Sequence, residues 1–308
     1  MTLPFTLQQL RILKAIASEK NFTKAAEILF VSQPSLSKQI KILENRLGII
    51  LLNRENNKIS LTEAGKVFLQ YSERILALCE ESCRALNDLK NGDRGNLTVG
   101  ASQTIGTYLM PRILALFAQK YPQINLKVQV DSTRVIAKKI VDRRIDIAVV
   151  GGDVPQELKK NLEITNFVED ELILIIPRSH PFAKKKKIHK DDLYQLNYIT
   201  LSSNSTIQKF IDNILIQNHI ETKQFHVILQ LNSIEAIKTA VSLGLGAAFI
   251  SASSIEKELE LKTFEVVAIE NIKITRTLLL LTNPQCYRSK AFEFFYDELS
   301  TLKNFMCL

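Results

Sequence analysis

From Thr62 to Leu89, large apolar residues return at steps of three and four: Val67 with Phe68, Tyr71, Ile75, Leu78, Leu86 and Leu89, with Ser82 at the one polar step. The spacing predicts a single helix of roughly 28 residues, about 42 Å long. Thr62 is placed to cap it, no proline interrupts it, and Asn91-Gly92-Asp93-Arg94-Gly95 stops it and reads as a linker. One apolar stripe on so long a helix calls for a partner helix. The helix therefore divides the chain into a small head and a larger body. A length of 308 residues suits that division. With 46% hydrophobic and 23% charged residues, disordered and fibrous classes are excluded. No apolar run approaches the roughly 20 residues of a membrane span, and the start of the chain lacks the layout of a secretory signal.

Charge is distributed unevenly. The formal net charge is +8, and residues 1–66 hold ten Lys/Arg against five Asp/Glu, while the remainder is nearly balanced. A basic head on a near-neutral body points to a polyanion, most naturally nucleic acid, with a solubilising surface as the alternative. The Lys184–Lys187 run reads as a solvated loop. Four cysteines without a CxxC pair fit a reducing compartment. The excess of lysine over arginine and the abundance of isoleucine follow AT-rich coding, as in some bacteria and many organelle genomes. The expected location is a bacterial cytoplasm or a plastid stroma.

The head reads as short helices. Thr6 and Gln9 have capping-box spacing ahead of Leu7, Leu10, Leu13 and Ile16. A second helix is expected over Lys24–Phe30. Ser32 is placed to cap a third, with Pro34 in its first turn and Leu36, Ile40 and Leu43 on one face, ending at Leu47-Gly48. Residues 49–61 resemble a β-hairpin wing. Beyond Asn96, strands and helices alternate in a βαβ rhythm, implying parallel strands covered by helices and two α/β lobes.

Catalytic and metal readings find no support in the sequence. Walker A, GxGxxG, GxSxG and HExxH patterns are missing, and the four histidines have no metal-ligand spacing. Phe22–Gly48 carries a sharper signal. Small Ala25 and Ala26 let a second helix approach, and Gln33, Ser35, Ser37, Lys38 and Lys41 crowd the outer face of the next helix. A helix-turn-helix needs such an apolar inner face, with amide, hydroxyl and cationic groups to enter a major groove. A generic helical hairpin is the bland alternative.

Residues 1–62 resemble the winged helix-turn-helix of LysR-type transcriptional regulators, through Leu10–Phe22, Thr23–Leu29, Val31–Ser37, Gln39-Ile40, Leu43-Glu44, Leu47-Gly48 and Leu51–Arg54. Leu61-Thr62-Glu63-Ala64-Gly65 carries the likeness into the long helix. Lys38 and Asn53 depart from the family's commoner residues, and a lysine cannot read a base bidentately. The resemblance implies DNA contacts by Thr23, Ser32, Gln33, Pro34, Ser35, Ser37, Lys38, Lys41 and the wing's Arg54. It also implies a fold of three parts: the winged head (1–62), a linker helix (63–94) that pairs with a second subunit, and an effector domain (95–308) similar to periplasmic solute-binding proteins. Its first lobe would hold 95–165 and 266–308, and its second 166–265, with crossings near Asn166 and Val266. The partners implied are an inverted repeat in promoter DNA, further copies of the chain as a dimer or tetramer, and RNA polymerase, with no membrane. No cofactor is required.

Leu97–Pro111 is similar to the CbbR/RbcR branch, regulators of RuBisCO operons. Other LysR-type targets, in nitrogen or other carbon metabolism, remain open, as does a solute-binding module whose head has no DNA partner. Ser102-Gln103-Thr104 and Ser202–Thr206 each follow a strand and open a helix, and Thr133 follows another strand. Helix N-termini rich in hydroxyls suit a carboxylate or phosphate. Ser102, Gln103, Thr104, Thr133, Ser202, Ser203 and Thr206 are therefore the expected effector residues, and helix capping is their alternative role. The branch implies a phosphorylated metabolite or NADPH as effector.

Overall fold

The computed structural model describes residues 3–55, 58–91, 95–202 and 205–303, without the side chains of 54, 55, 58, 87 and 89–91. It divides into two compact units, residues up to 90 with 142–144, and the remainder.

The first unit begins with α1 (Leu7–Glu19), whose capping box is closed by Thr6 and Gln9 at 3.2 and 3.0 Å. α2 (Phe22–Ile28) starts and ends two residues earlier than the expected Lys24–Phe30. The reasons are local. Asn21 accepts from the amides of Thr23 and Lys24 and so starts the helix, and Phe30 adopts a left-handed φ of 54° that stops it. α3 (Gln33–Leu47) is capped by Ser32, carries Pro34 in its first turn and ends at Gly48 with φ +69°. Ile12, Leu13, Ile16, Ala25, Leu36, Ile40 and Leu43 are buried together and fix the three helices to one another.

β1 (Leu52–Glu55) and β2 (Lys58–Leu61) form the antiparallel wing. Glu44 of α3 anchors it by accepting from the amides of Leu51 and Leu52 at 2.9 and 3.1 Å. α4 (Glu63–Asn91) is 29 residues long. Thr62 caps it by accepting from Gly65 N–H at 2.9 Å, while its own hydroxyl donates to Ile50 C=O. Only glycine fits at 65, because a Cβ there would stand 2.1 Å from the Leu51 carbonyl oxygen. Phe68 leaves the expected stripe and packs edge-to-face on Phe5 in the head. Val67, Tyr71, Leu78 and Leu86 stay exposed along α4.

In the second unit the first lobe opens with β3 (Gly95–Ser102), then a π-helical turn over Ile105–Leu109 that runs into α5 (Met110–Lys120). β4 (Ile124–Asp131), α6 (Thr133–Val141), β5 (Ile147–Val150) and the short α7 (Gln156–Lys159) follow. β3 lies between β4 and β5 and is parallel to both. β6 (Glu163–Ile176) then carries the chain into the second lobe. That lobe contains β7 (Lys187–Ile188), β8 (Asn197–Leu201), α8 (Thr206–Gln217), β9 (His226–Leu231), α9 (Ile234–Ser242), β10 (Ala248–Ser251), α10 (Glu256–Leu261) and β11 (Glu265–Ile269). β12 (Ile274–Thr282) returns to the first lobe, where α11 (Lys290–Lys303) closes the described chain.

Two features depart from the expectation. The lobes share one mixed sheet, because β12 runs antiparallel to residues 163–172 of β6 along its whole length. The second crossing also lies elsewhere. Val267 and Ile269 of β11 are buried in the second lobe's core, and β11 pairs with β6 at Leu174–Ile176. On β12, Ile274 belongs to that same core and Leu278 to the first lobe's core. The return therefore falls at Arg276, about ten residues beyond Val266. On β6, Phe167 and Val168 pack in the first core and Leu172 in the second, which moves the first crossing from Asn166 to Asp170.

Candidate functional sites

α3 presents its polar residues to solvent because Leu36, Ile40 and Leu43 occupy its inner face. Gln33, Pro34, Ser35, Lys38 and Lys41 are exposed and Ser37 half-buried. Gln33 Nε2 donates to Ser37 Oγ at 3.0 Å, one turn on, which orients the amide along the exposed face. Ser32 accepts from Ser35 N–H, so its hydroxyl is committed to capping. Thr23 is exposed in the first turn of α2. Arg54 lies on β1 at the wing, and its side chain is outside the described residues.

Between the two lobes of the second unit lies a cavity of about 630 Å³. Ser102, Gln103, Thr104, Thr133, Ser202 and Thr206 all line it, and Ser203 lies outside the described residues. Topology brings them together, since β3, β4 and β8 end at the same gap and the following helices begin there. The caps are Ser132 for α6, Ser205 for α8 and Ser233 for α9, and each accepts an amide N–H three residues on. Ser205 rather than Ser202 therefore caps α8. Three helix N-termini turn their positive ends toward the cavity. Ser102 Oγ accepts from Gly151 N–H at 3.2 Å, leaving its own proton to donate.

Thr133 is 2% exposed, and its hydroxyl oxygen has no hydrogen-bond partner. A Cβ on Gly152 would stand 3.0 Å from both Thr133 Oγ1 and Thr206 Oγ1, so hydroxyls of the two lobes converge on this glycine. At the mouth, Tyr108 of the first lobe donates to Glu235 of the second at 2.7 Å, and Lys238 Nζ sits 2.9 Å from that carboxylate. Burial opposes ionisation of Glu235, but the hydrogen bonds from Lys238 and Tyr108 outweigh it and hold its pKa below the usual value. Burial and the hydrogen bond to Glu235 push the Tyr108 phenol upward, so it stays a donor.

The sequence reading missed Arg276, which also lines the cavity. Its Nε donates to Asp170 Oδ2 at 2.8 Å and its Nη1 to the Gly151 carbonyl at 3.0 Å. An arginine reads as solvent-facing by residue type, although Ile274 and Leu278 at i±2 put it on the apolar face of its strand, the signal that could have found it. Among the described residues no group of His, Cys, Asp or Glu is placed to hold a metal, and no helix is long and apolar enough to cross a membrane.

A helix-turn-helix head and a polar cleft between two α/β lobes define a DNA-binding regulator with a ligand-sensing domain. Two family models match in series: the bacterial regulatory helix-turn-helix of the lysR family over residues 7–66, and the LysR substrate binding domain over 90–303. The chain belongs to the LysR family of transcriptional regulators, and it is not an enzyme. It is 78% identical over 306 residues to a Thalassiosira pseudonana protein described as a probable RuBisCO transcriptional regulator, covering 99% of this chain and 100% of that one. Full-length CbnR in complex with its target DNA matches with a TM-score of 0.72 at 21% identity, over 96% of this chain and 99% of that one. The regulatory domain of CcmR from Synechocystis PCC6803, in complex with 2-PG, matches with a TM-score of 0.61 at 25% identity, over 69% of this chain and 99% of that one.

Proposed function

We propose that this regulator controls RuBisCO genes and that a small anionic metabolite, held in the inter-lobe cavity, sets its activity. The end-to-end identity to a relative named for RuBisCO regulation supports the target. One observation carries the ligand class: the buried, unpartnered Thr133 hydroxyl faces a cavity lined by helix N-termini. Ser102, Gln103, Thr104, Ser202 and Thr206 line the same cavity as further donors, and Ser203 is proposed with them from the sequence alone. A compact phosphorylated metabolite suits it better than NADPH, because Tyr108 is the one aromatic side chain on the lining. The 2-PG held by the CcmR domain is of that kind.

In the head, Gln33, Pro34 and Ser35 face base edges at the start of α3, Lys38 and Lys41 meet phosphates with Thr23 and Ser37 beside them, and Arg54 of the wing is a further contact. Val67, Tyr71, Leu78 and Leu86 pair α4 with a second copy. Such dimers, or tetramers of them, would occupy an inverted repeat and act as an activator through RNA polymerase. A plastid stroma is the location this reading favours, supported by the lysine- and isoleucine-rich coding bias and by the likeness to the Thalassiosira pseudonana protein. Genome-wide footprinting of the bound protein tests the reading. Protection upstream of the RuBisCO operon is expected, while occupancy confined to nitrogen or other carbon genes overturns the target. Binding without salt sensitivity or preference for an inverted repeat would overturn the DNA role of α3.

A further inference from the structure

Arg276 and Asp170 are register partners on the two strands that cross between the lobes. On each strand, the residues before and after them belong to different cores, so the pair stands where the lobes join. Both side chains are almost fully buried, at 5% and 2% exposure. A guanidinium carries five N–H donors. Nε and Nη1 are hydrogen-bonded, whereas Nη2 lies 2.7 Å from Asp170 Oδ2 without hydrogen-bond alignment and has no other partner. The opposite side of that carboxylate is held by Ser251, whose hydroxyl donates to Asp170 Oδ1 at 2.5 Å. Asp170 is thus pinned from β10 and β12, and the guanidinium beside it keeps donors to spare at the cavity wall.

A buried arginine with unmatched donors is costly unless something completes it. The other unmatched buried side-chain atom among the described residues, Thr133 Oγ1, lines the same cavity. Two buried side chains with incompletely hydrogen-bonded polar atoms therefore line one space. We infer that Arg276 grips the acid group of the cavity ligand, with Thr133 as its companion donor, and that the ligand's oxygen competes with Asp170 for the guanidinium at the strand crossing. This rests on the cavity being the effector site. It adds which residue selects for a phosphate or carboxylate, and how occupancy reaches the hinge: drawing Arg276 from Asp170 loosens the tie between β6 and β12 where the lobes pivot.

The two partners then have opposite signs. Asp170 positions Arg276, but its negative charge stands against an arriving anion, whereas Gly151 C=O still holds the guanidinium when that charge is removed. Titration calorimetry of the full-length chain with 2-PG, and separately with inorganic phosphate, reads this directly. Relative to wild type, Arg276→Lys is expected to weaken 2-PG by about tenfold or more, since it removes charge-assisted donors while keeping the charge. Thr133→Val is expected to weaken it by a few-fold, and Asp170→Asn to tighten it by a few-fold. A purely structural ion pair predicts otherwise, with both partners' variants losing affinity in step with thermal stability. That outcome, or an unchanged affinity in Arg276→Lys, overturns the assignment. If Arg276→Lys does not fold, Asp170→Asn and Thr133→Val decide it by the same signs. Wild-type protein that binds neither probe overturns the cavity reading as well, which separates that failure from the failure of Arg276 alone.

Discussion

The outer face of α3 and the inter-lobe cavity are both polar, but they hold their polar groups on opposite terms. On α3 the amides, hydroxyls and ammonium groups stand in water, where an unmatched donor costs almost nothing, and Gln33 and Ser37 satisfy each other. In the cavity the Thr133 hydroxyl is buried without a hydrogen-bond partner, a cost of about 1–3 kcal/mol, and Arg276 Nη2 is buried with only its ion-pair contact to Asp170. Substitutions on the first surface are therefore expected to change binding without touching the fold, and those in the second to trade stability against ligand response.

The strongest test of the first half concerns α4. Tyr71 and Leu78 are 60% and 51% exposed, and burying a large apolar side chain is worth roughly 1.5–3 kcal/mol. Tyr71→Glu with Leu78→Glu is expected to give folded monomers in sedimentation. Affinity for a two-half-site operator should then fall more than about a hundredfold, since each half must bind alone. A double variant that sediments as a normal oligomer would show that this face is not the interface.

Next in size is the division of labour on α3. Gln33→Ala is expected to cost roughly 1–3 kcal/mol on the cognate site and little on random DNA. Lys41→Ala should weaken all sequences alike and lower the slope of log affinity against log salt by about one. Both variants should melt as wild type does, because both side chains are exposed. Equal losses on cognate and random DNA for Gln33→Ala would remove it from base reading.

Thr133→Val asks the cavity the opposite question. Removing a buried, unmatched hydroxyl in favour of a methyl of similar shape is expected to raise stability by about 1 kcal/mol in denaturant unfolding, while the effector response weakens. Ser102→Ala lacks that gain, because Ser102 already accepts from Gly151 N–H. If Thr133→Val destabilises the protein, the hydroxyl has a partner and the comparison between the two surfaces fails on its buried side.

Distance along the chain explains what could be read in advance. The caps at Thr6, Ser32 and Thr62 and the stop at Gly48 act within three or four residues, so the pattern there is visible to the eye. The hydroxyls around the cavity were legible for the same reason, as they follow strand ends and open helices. Arg276 was not, because the group that buries and holds it is 106 residues away. The first half of β6 was equally hidden. Its polar Asn166 and the acidic run Glu169–Glu171 look like a loop until β12 pairs with them. The misplaced crossing at Val266 has that origin too, for β11 reads as any apolar strand, and only its pairing assigns it to a lobe.

The smallest expected effect lies at Phe30, which is 95% exposed and left-handed at φ +54°. It contributes no core and sits in a conformation that costs a residue with a Cβ about 1 kcal/mol. Its backbone closes the turn before α3, with Phe30 N–H donating to Glu27 C=O and Val31 N–H to Ala26 C=O. Asparagine visits this conformation more readily, and it replaces an exposed ring with an amide. Phe30→Asn is therefore expected to stabilise the head by several tenths of a kcal/mol to about 1 kcal/mol, seen as slower amide exchange in α2 and α3, with DNA affinity unchanged. Faster exchange would mean that the ring shields the turn. Unchanged exchange with weaker DNA binding would make Phe30 part of the surface that a partner completes, which would put an apolar group among the polar ones on which the contrast with the cavity is drawn.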